Sequence, residues 1–206
     1  MQKEITGLCL GFWIVAAMLL ASCATTTSTT TSTPLTTEAG PILITVVNGS
    51  TIKTYSMTDL QDNFTAVTGY GGQKGTDNTI TGPYPYQGVA LTDLLNAVGG
   101  IAEGQSVTIT GANTYGNSYF SKTLTYDQIT NDSFNFYDTS GNPVTPTTKP
   151  VLTVIYWANG VLLVNGGGPM GISGPTELGI ISTQNLVSDN SLWIGSLTEI
   201  DIIPTP

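Results

Sequence analysis

YQGVALTDLLNAVGG, Tyr86–Gly100, is the stretch on which the fold turns. Leu91, Leu94, Leu95 and Val98 recur at i, i+3, i+4 and i+7, which stacks them on one helical face, while Asp93 and Asn96 face away. Gly99 and Gly100 follow where a helix is stopped by residues that accept a left-handed backbone. The periodicity predicts an amphipathic helix that stands nearly alone. On both sides the chain is rich in Gly, Thr, Val, Ile and Tyr and is broken by Asn-Gly and Gly-Pro punctuation, the composition of strands and turns. One clear helix in such a background reads as an α+β fold, a β-rich mixed-sheet domain with a few short helices.

Toward the N terminus, Ile42–Val47 and Thr51–Tyr55 alternate as a hairpin pair, with Asn48 and Gly49 expected to supply its left-handed turn. Ser56 is placed to cap a one- or two-turn helix through Met57, Thr58 and Asp59 to Leu60. Phe64–Thr68 is a further strand, expected to run into a polar loop from Gly69 to about Pro85. Toward the C terminus, Val107–Thr110 and Tyr119–Leu124 form a second strand pair, Thr125–Thr130 a short capped helical turn, and Phe134–Tyr137 an edge followed by a bend. Val151–Trp157 is the most apolar strand, closed by Asn159 and Gly160, and Trp193–Ile203 is expected as one final strand.

The first residues have a different logic. Residues 1–22 read as a signal peptide: Lys3 is a charged start, Leu8–Leu20 an apolar run, and Ala21 and Ser22 the small residues a signal peptidase requires. The run of roughly 13 residues falls short of the ~20 that cross a bilayer as a helix, leaving a permanent anchor as the second choice. Leu20-Ala21-Ser22-Cys23 resembles the lipobox of prokaryotic lipoproteins. That resemblance implies that Cys23 becomes the N terminus and is lipidated; the alternative is an ordinary secretory leader. Residues 23–38 are a Thr/Ser-rich tether with nothing to bury. The expected location is the cell surface or the periplasmic side, with a lipid anchor in the membrane.

Residues 39–206 are long enough for one domain with its own core. Past Cys23 the chain has no Cys, His or Arg, so a disulfide within the domain and a zinc site on Cys or His are both excluded. The net charge is -9, and Lys53, Lys74, Lys122 and Lys149 are scattered, so no basic stripe exists to bind nucleic acid. The carboxylate pairs Asp59/Asp62, Asp127/Asp132 and Glu199/Asp201 match no calcium loop, and alternation puts Glu199 and Asp201 on a solvent face opposite Ile200 and Ile202. A Ser or Thr nucleophile would have only lysine as its base.

Four pieces in order carry a wider resemblance: YQGVALTDLLNAVGG at Tyr86–Gly100, VIYWANGVLL at Val154–Leu163, GGPMGI at Gly167–Ile172 and LWIGSLTEIDI at Leu192–Ile202. Together they make the chain resemble the molybdopterin-binding domain of the sulfite-oxidase family, over most of Thr51–Ile203. The resemblance implies that family's β-rich fold and a cleft that in its members holds molybdenum on a pterin dithiolene. Three positions depart from it. Tyr70 stands where the family has its metal-ligating cysteine, Gly171 where it has the arginine of a Gly-Pro-x-Arg loop, and Leu192 where it has a lysine before Trp193. A phenol of pKa ~10 is a hard donor where molybdenum takes a soft thiolate. Two lost cationic contacts also weaken the hold on an anionic cofactor.

The chain is therefore expected to be a surface lipoprotein whose molybdopterin-binding-like domain is a non-catalytic module for a small anionic or flat-ring ligand, with molybdopterin open as that ligand and molybdenum disfavoured. The alternatives are a molybdopterin-dependent oxidoreductase with an atypical metal site and a purely structural surface domain. The candidate ligand-binding residues are Gly69, Tyr70, Gly71, Lys74, Tyr86, Gly167, Gly168 and Pro169. Gly166–Pro169 would let a ligand approach the backbone closely, against the alternative of a plain turn. Tyr84, Tyr86, Tyr115, Tyr119 and Trp157 could stack on a flat ring or a sugar, against core duty as the alternative.

Overall fold

In the computed structural model the described residues are 40–112, 119–131, 133–163 and 175–204. The chain opens with β1 (Ile42–Asn48) and β2 (Thr51–Ser56), an antiparallel hairpin. Asn48 is still in the strand, opposite Thr51, so the turn is Gly49–Ser50 with Gly49 alone at positive φ, one position later than the sequence suggests. The Asn48 side chain is engaged elsewhere, its Nδ2 donating to the carbonyls of Val98 (3.2 Å) and Gly100 (3.3 Å) and so tying β1 to the end of the central helix.

Next come α1 (Met57–Asp62), β3 (Ala66–Lys74), β4 (Ile80–Ala90) and α2 (Leu91–Asn96). α1 starts on a capping box, in which the Asp59 amide donates to Ser56 Oγ and the Ser56 amide donates to the Asp59 carboxylate (2.7 Å). α2 buries Leu91, Leu94 and Leu95, Val98 is buried in the turn just past its end, and Gly99 and Gly100 follow at positive φ, so the apolar face is as the periodicity predicts but the helix is shorter. The expected loop from Gly69 to Pro85 is instead a long antiparallel hairpin, β3 against β4, pairing Gly69 with Tyr86 and Tyr70 with Pro85. Its Gly, Tyr and Pro residues lack the apolar alternation that marks a half-buried strand, although the backbone pairs throughout.

The remainder comprises β5 (Gln105–Ala112), β6 (Tyr119–Thr125), α3 (Tyr126–Asn131), β7 (Phe136–Tyr137), β8 (Pro143–Val144), β9 (Val151–Ala158), β10 (Val161–Leu162), β11 (Glu177–Ile181), β12 (Val187–Asp189), β13 (Ile194–Gly195) and β14 (Leu197–Pro204). These make two sheets among the described residues, β2-β1-β14-β5-β6 and β13-β11-β9-β4-β3-β12-β7-β8, with β10 beside β9. β1 runs parallel to β14 and β12 parallel to β3, and the other pairings are antiparallel, so both sheets are mixed. The fold is thus β-rich with short helices, as expected. The single final strand expected over Trp193–Ile203 is two. Ser196, at φ 51, breaks it, leaving β13 in the larger sheet and β14 in the smaller.

The larger sheet curls on itself. Tyr70 and Ser182 form a two-way backbone bridge, Tyr70 N to Ser182 O at 2.7 Å and Ser182 N to Tyr70 O at 2.9 Å, which brings β3 to the end of β11. Trp193 fills the space inside the curl. A Cβ on Gly179 would collide with its ring, and one on Gly71 would lie 2.9 Å from it and closer still to the Ile180 carbonyl. Both glycines are required by this close approach. Trp193 Nε1 donates to the buried Ser188 hydroxyl at 2.9 Å, and the Tyr86 ring lies against the indole, centroids 5.4 Å apart.

Candidate functional site

Antiparallel pairing places Thr68 opposite Gln87, Gln87 opposite Trp157 and Trp157 opposite Leu162, one row across β3, β4, β9 and β10. Tyr70 and Pro85 are paired two residues along, so alternation turns Thr68, Tyr70, Pro85, Gln87 and Trp157 to the same outer face. Between them lies an open cleft of about 460 Å³, within the size range of small-molecule sites. Tyr70, Pro85 and Trp157 are its flat walls, with Tyr86 and Gly69 at its floor and Thr68, Gln87 and Thr183 as its polar members. Tyr70 is 45% exposed. Gln87 Nε2 donates to the Tyr156 hydroxyl at 3.1 Å, which orients the amide and leaves its oxygen as the acceptor.

Three of the sequence candidates, Gly69, Tyr70 and Tyr86, meet at this cleft. Gly71 does not line it and packs against Trp193. Lys74 also points elsewhere: Nζ donates to the Gly141 carbonyl at 3.1 Å and lies 4.0 Å from the centre of the Tyr137 ring. It therefore brings no positive charge to the cleft. Gly167, Gly168, Pro169, Gly171 and Cys23 lie outside the described residues, as do Tyr115 and the Tyr119 side chain. Tyr84 is half-buried against the core. Leu192, at the family's lysine position, is a buried core residue.

The described members of the carboxylate pairs are structural or solvent-facing, and Asp132 lies outside the described residues. Asp59 caps α1, and Asp127 accepts from Asn131 Nδ2 (2.6 Å) and Ser133 Oγ (2.7 Å), which holds its pKa below the ordinary value. Glu199 is exposed beside buried Ile200, as the alternation predicts. No group of three or more Asp, Glu, His or Cys able to hold a metal occurs among the described residues. A larger depression of about 550 Å³ lies beside Lys149, but it gathers no sequence candidate, and Lys149 Nζ donates to the Thr130 carbonyl at 2.9 Å.

Behind the cleft floor is a feature that the sequence motifs did not reveal. Glu177, on the buried strand β11, is 1% exposed, and neither carboxyl oxygen has a hydrogen-bond partner. The hydroxyls of Tyr86 and Thr176 are likewise buried and unpartnered. Glu177 shares its face with Gly179, and so with the Trp193 side of the sheet, where Tyr86 also packs. Burial pushes the Glu177 carboxyl up to about 7. The Tyr86 phenol is raised far above its usual range by burial first, then by Glu177 and Tyr84. The sequence signal was there: a glutamate heading the apolar run Glu177-Leu178-Gly179-Ile180-Ile181.

The described residues of the cleft offer no cation for a phosphate and no thiolate for molybdenum, so they do not fit the metallated, anionic cofactor. They fit a flat, uncharged ring, with π-faces beside it and neutral donors and acceptors at its edge. No protein-family model matches the chain, and comparison with curated proteins finds no match.

Proposed function

We propose that this protein is a lipid-anchored surface lipoprotein whose domain has the sulfite-oxidase molybdopterin-binding type of fold and serves as a non-catalytic module for a small flat-ring ligand, with a pterin ring as the first ligand to test. The order of the elements supports the fold assignment: the Tyr86–Gly100 strand-to-helix segment, the apolar β9 with its Asn159-Gly160 turn, and the closing β14. The placing of Tyr70 and Trp157 on one outer face, at one cleft, carries the ligand-binding assignment. The absence of catalysis rests on chemistry. Among the described residues, the cleft's only ionisable side chains are phenols, and the Tyr86 phenol is held protonated by its burial.

The test uses the full chain expressed in a host that makes pterin cofactors. The expected result is no stoichiometric molybdenum by elemental analysis, together with a rise in Tm on adding a metal-free pterin, because a ligand that prefers the native state stabilises it. Stoichiometric molybdenum with turnover would replace this assignment by an oxidoreductase with an atypical site. An unchanged Tm across flat-ring ligands and sugars alike would leave only a structural surface domain.

A further inference from the structure

We infer that the cleft binds a neutral oligosaccharide laid across β3, β4 and β9, with one ring on Trp157 and another on Tyr70. This deepens the binding-module assignment by naming its ligand class, and it rests on that assignment. Four observations carry it.

First, the two aromatic side chains start from separate points of one sheet face. They come from strands two apart in the same sheet and turn to one face, so their Cα atoms are separated by at least ~10 Å. A single planar heterocycle has one such ring to stack on, whereas a chain of sugar rings can reach both, and the C–H faces of a pyranose stack on aromatic rings as other apolar surfaces do. Second, Gln87 and Pro85 lie between the two rings on the same face. The tethered Gln87 amide therefore presents an acceptor midway along the path, where sugar hydroxyls would pass.

Third, the remaining polar members are the hydroxyls of Thr68 and Thr183, both on exposed residues. Hydroxyls and one amide are neutral donors and acceptors suited to sugar hydroxyls. Among the described residues no carboxylate or lysine lines the cleft, which disfavours anionic and cationic ligands alike. Fourth, the cleft is open along the sheet: exposed Leu162, paired with Trp157, continues the platform beyond β9. A chain longer than the cleft would therefore not be blocked there.

The experiment titrates the full chain with a neutral hexose oligosaccharide series, a sialylated oligosaccharide as the charged control, and a metal-free pterin, read by tryptophan fluorescence and by calorimetry. Neutral oligosaccharides are expected to bind and to bind more tightly as the second platform is reached, with the sialylated control weaker. Trp157→Ala and Tyr70→Ala should each lose about tenfold in affinity, the equivalent of one aromatic stacking contact. Trp157→Phe should retain most of it. Tyr70 is exposed enough that its truncation leaves folding intact, so it keeps the test valid if Trp157→Ala fails to fold. Pterin binding without sugar binding would overturn the ligand class and leave the binding module standing. Binding of neither, or sugar binding indifferent to both aromatic variants, would overturn the site itself.

Discussion

Replacing Glu177 by glutamine should remove a pH-dependent penalty that the fold now carries. The carboxyl is 1% exposed with both oxygens unpartnered, and its pKa rises from an ordinary 4.5 to about 7 because burial disfavours the charge. Below pH 4.5 the group is protonated in both the folded and the unfolded chain and contributes nothing. Between 4.5 and about 7 the unfolded chain gives up the proton while the folded chain keeps it, so stability falls as pH rises. Above that window both forms are ionised and the loss levels off at about 3 kcal/mol, since each tenfold difference in proton affinity is worth ~1.4 kcal/mol. Glutamine has nearly the same shape and does not titrate. Urea unfolding of the wild type and Glu177→Gln across this range should give curves that diverge with rising pH, the variant gaining up to that amount, or roughly 6–12 °C in Tm for a chain of this size. The comparison cancels the background of the other carboxylates, which both proteins share. Parallel curves would refute the reasoning, because they would mean that Glu177 is ionised and partnered in the folded protein.

Four further outcomes follow, three from other parts of the fold and one from the proposed lipid anchor. Gly179→Ala should cost about 1–3 kcal/mol in denaturant unfolding through collision with the Trp193 ring, and near-wild-type stability would show that the indole can move aside. Ser56→Ala should cost about 1 kcal/mol by removing the α1 cap. Asp59→Asn acts on the same cap through pH. The Ser56 hydroxyl and amide hold this carboxyl below its ordinary 3.8, so its contribution is present above that value and is lost as pH falls through the folded-state pKa; the variant should show a flatter acid limb. Cys23→Ser should move the protein from the membrane fraction to the soluble fraction of a fractionated host, and unchanged partitioning would argue against a lipid on that thiol.

Local patterns were legible wherever one face of an element is buried and the other is wet. α2, the β1–β2 pair, the Ser56 cap and β14 all follow from periodicity or capping residues, because those signals are short-range. The long β3–β4 hairpin was not legible. Gly69, Gly71, Pro83 and Pro85 look like loop residues, and the glycines are needed because β11 and Trp193 come so close. Half of the candidate site was visible in the sequence as Tyr70 and Tyr86. Its partner Trp157 was visible only as one aromatic among several, since its row with Gln87 and Thr68 depends on register across three strands.

Residue types alone settled the chemistry denied to this domain: with no imidazole, guanidinium or thiol past Cys23, no tertiary arrangement can supply a thiolate or imidazole metal ligand or a guanidinium clamp for an anion. The curling of the larger sheet decided the rest. It turned Lys74 toward Gly141, set Tyr70 and Trp157 on one outer face and sealed Glu177 and Tyr86 inside. Proximity across strands is set by pairing register and backbone closure between residues far apart in the chain, and neither composition nor local periodicity encodes those by itself.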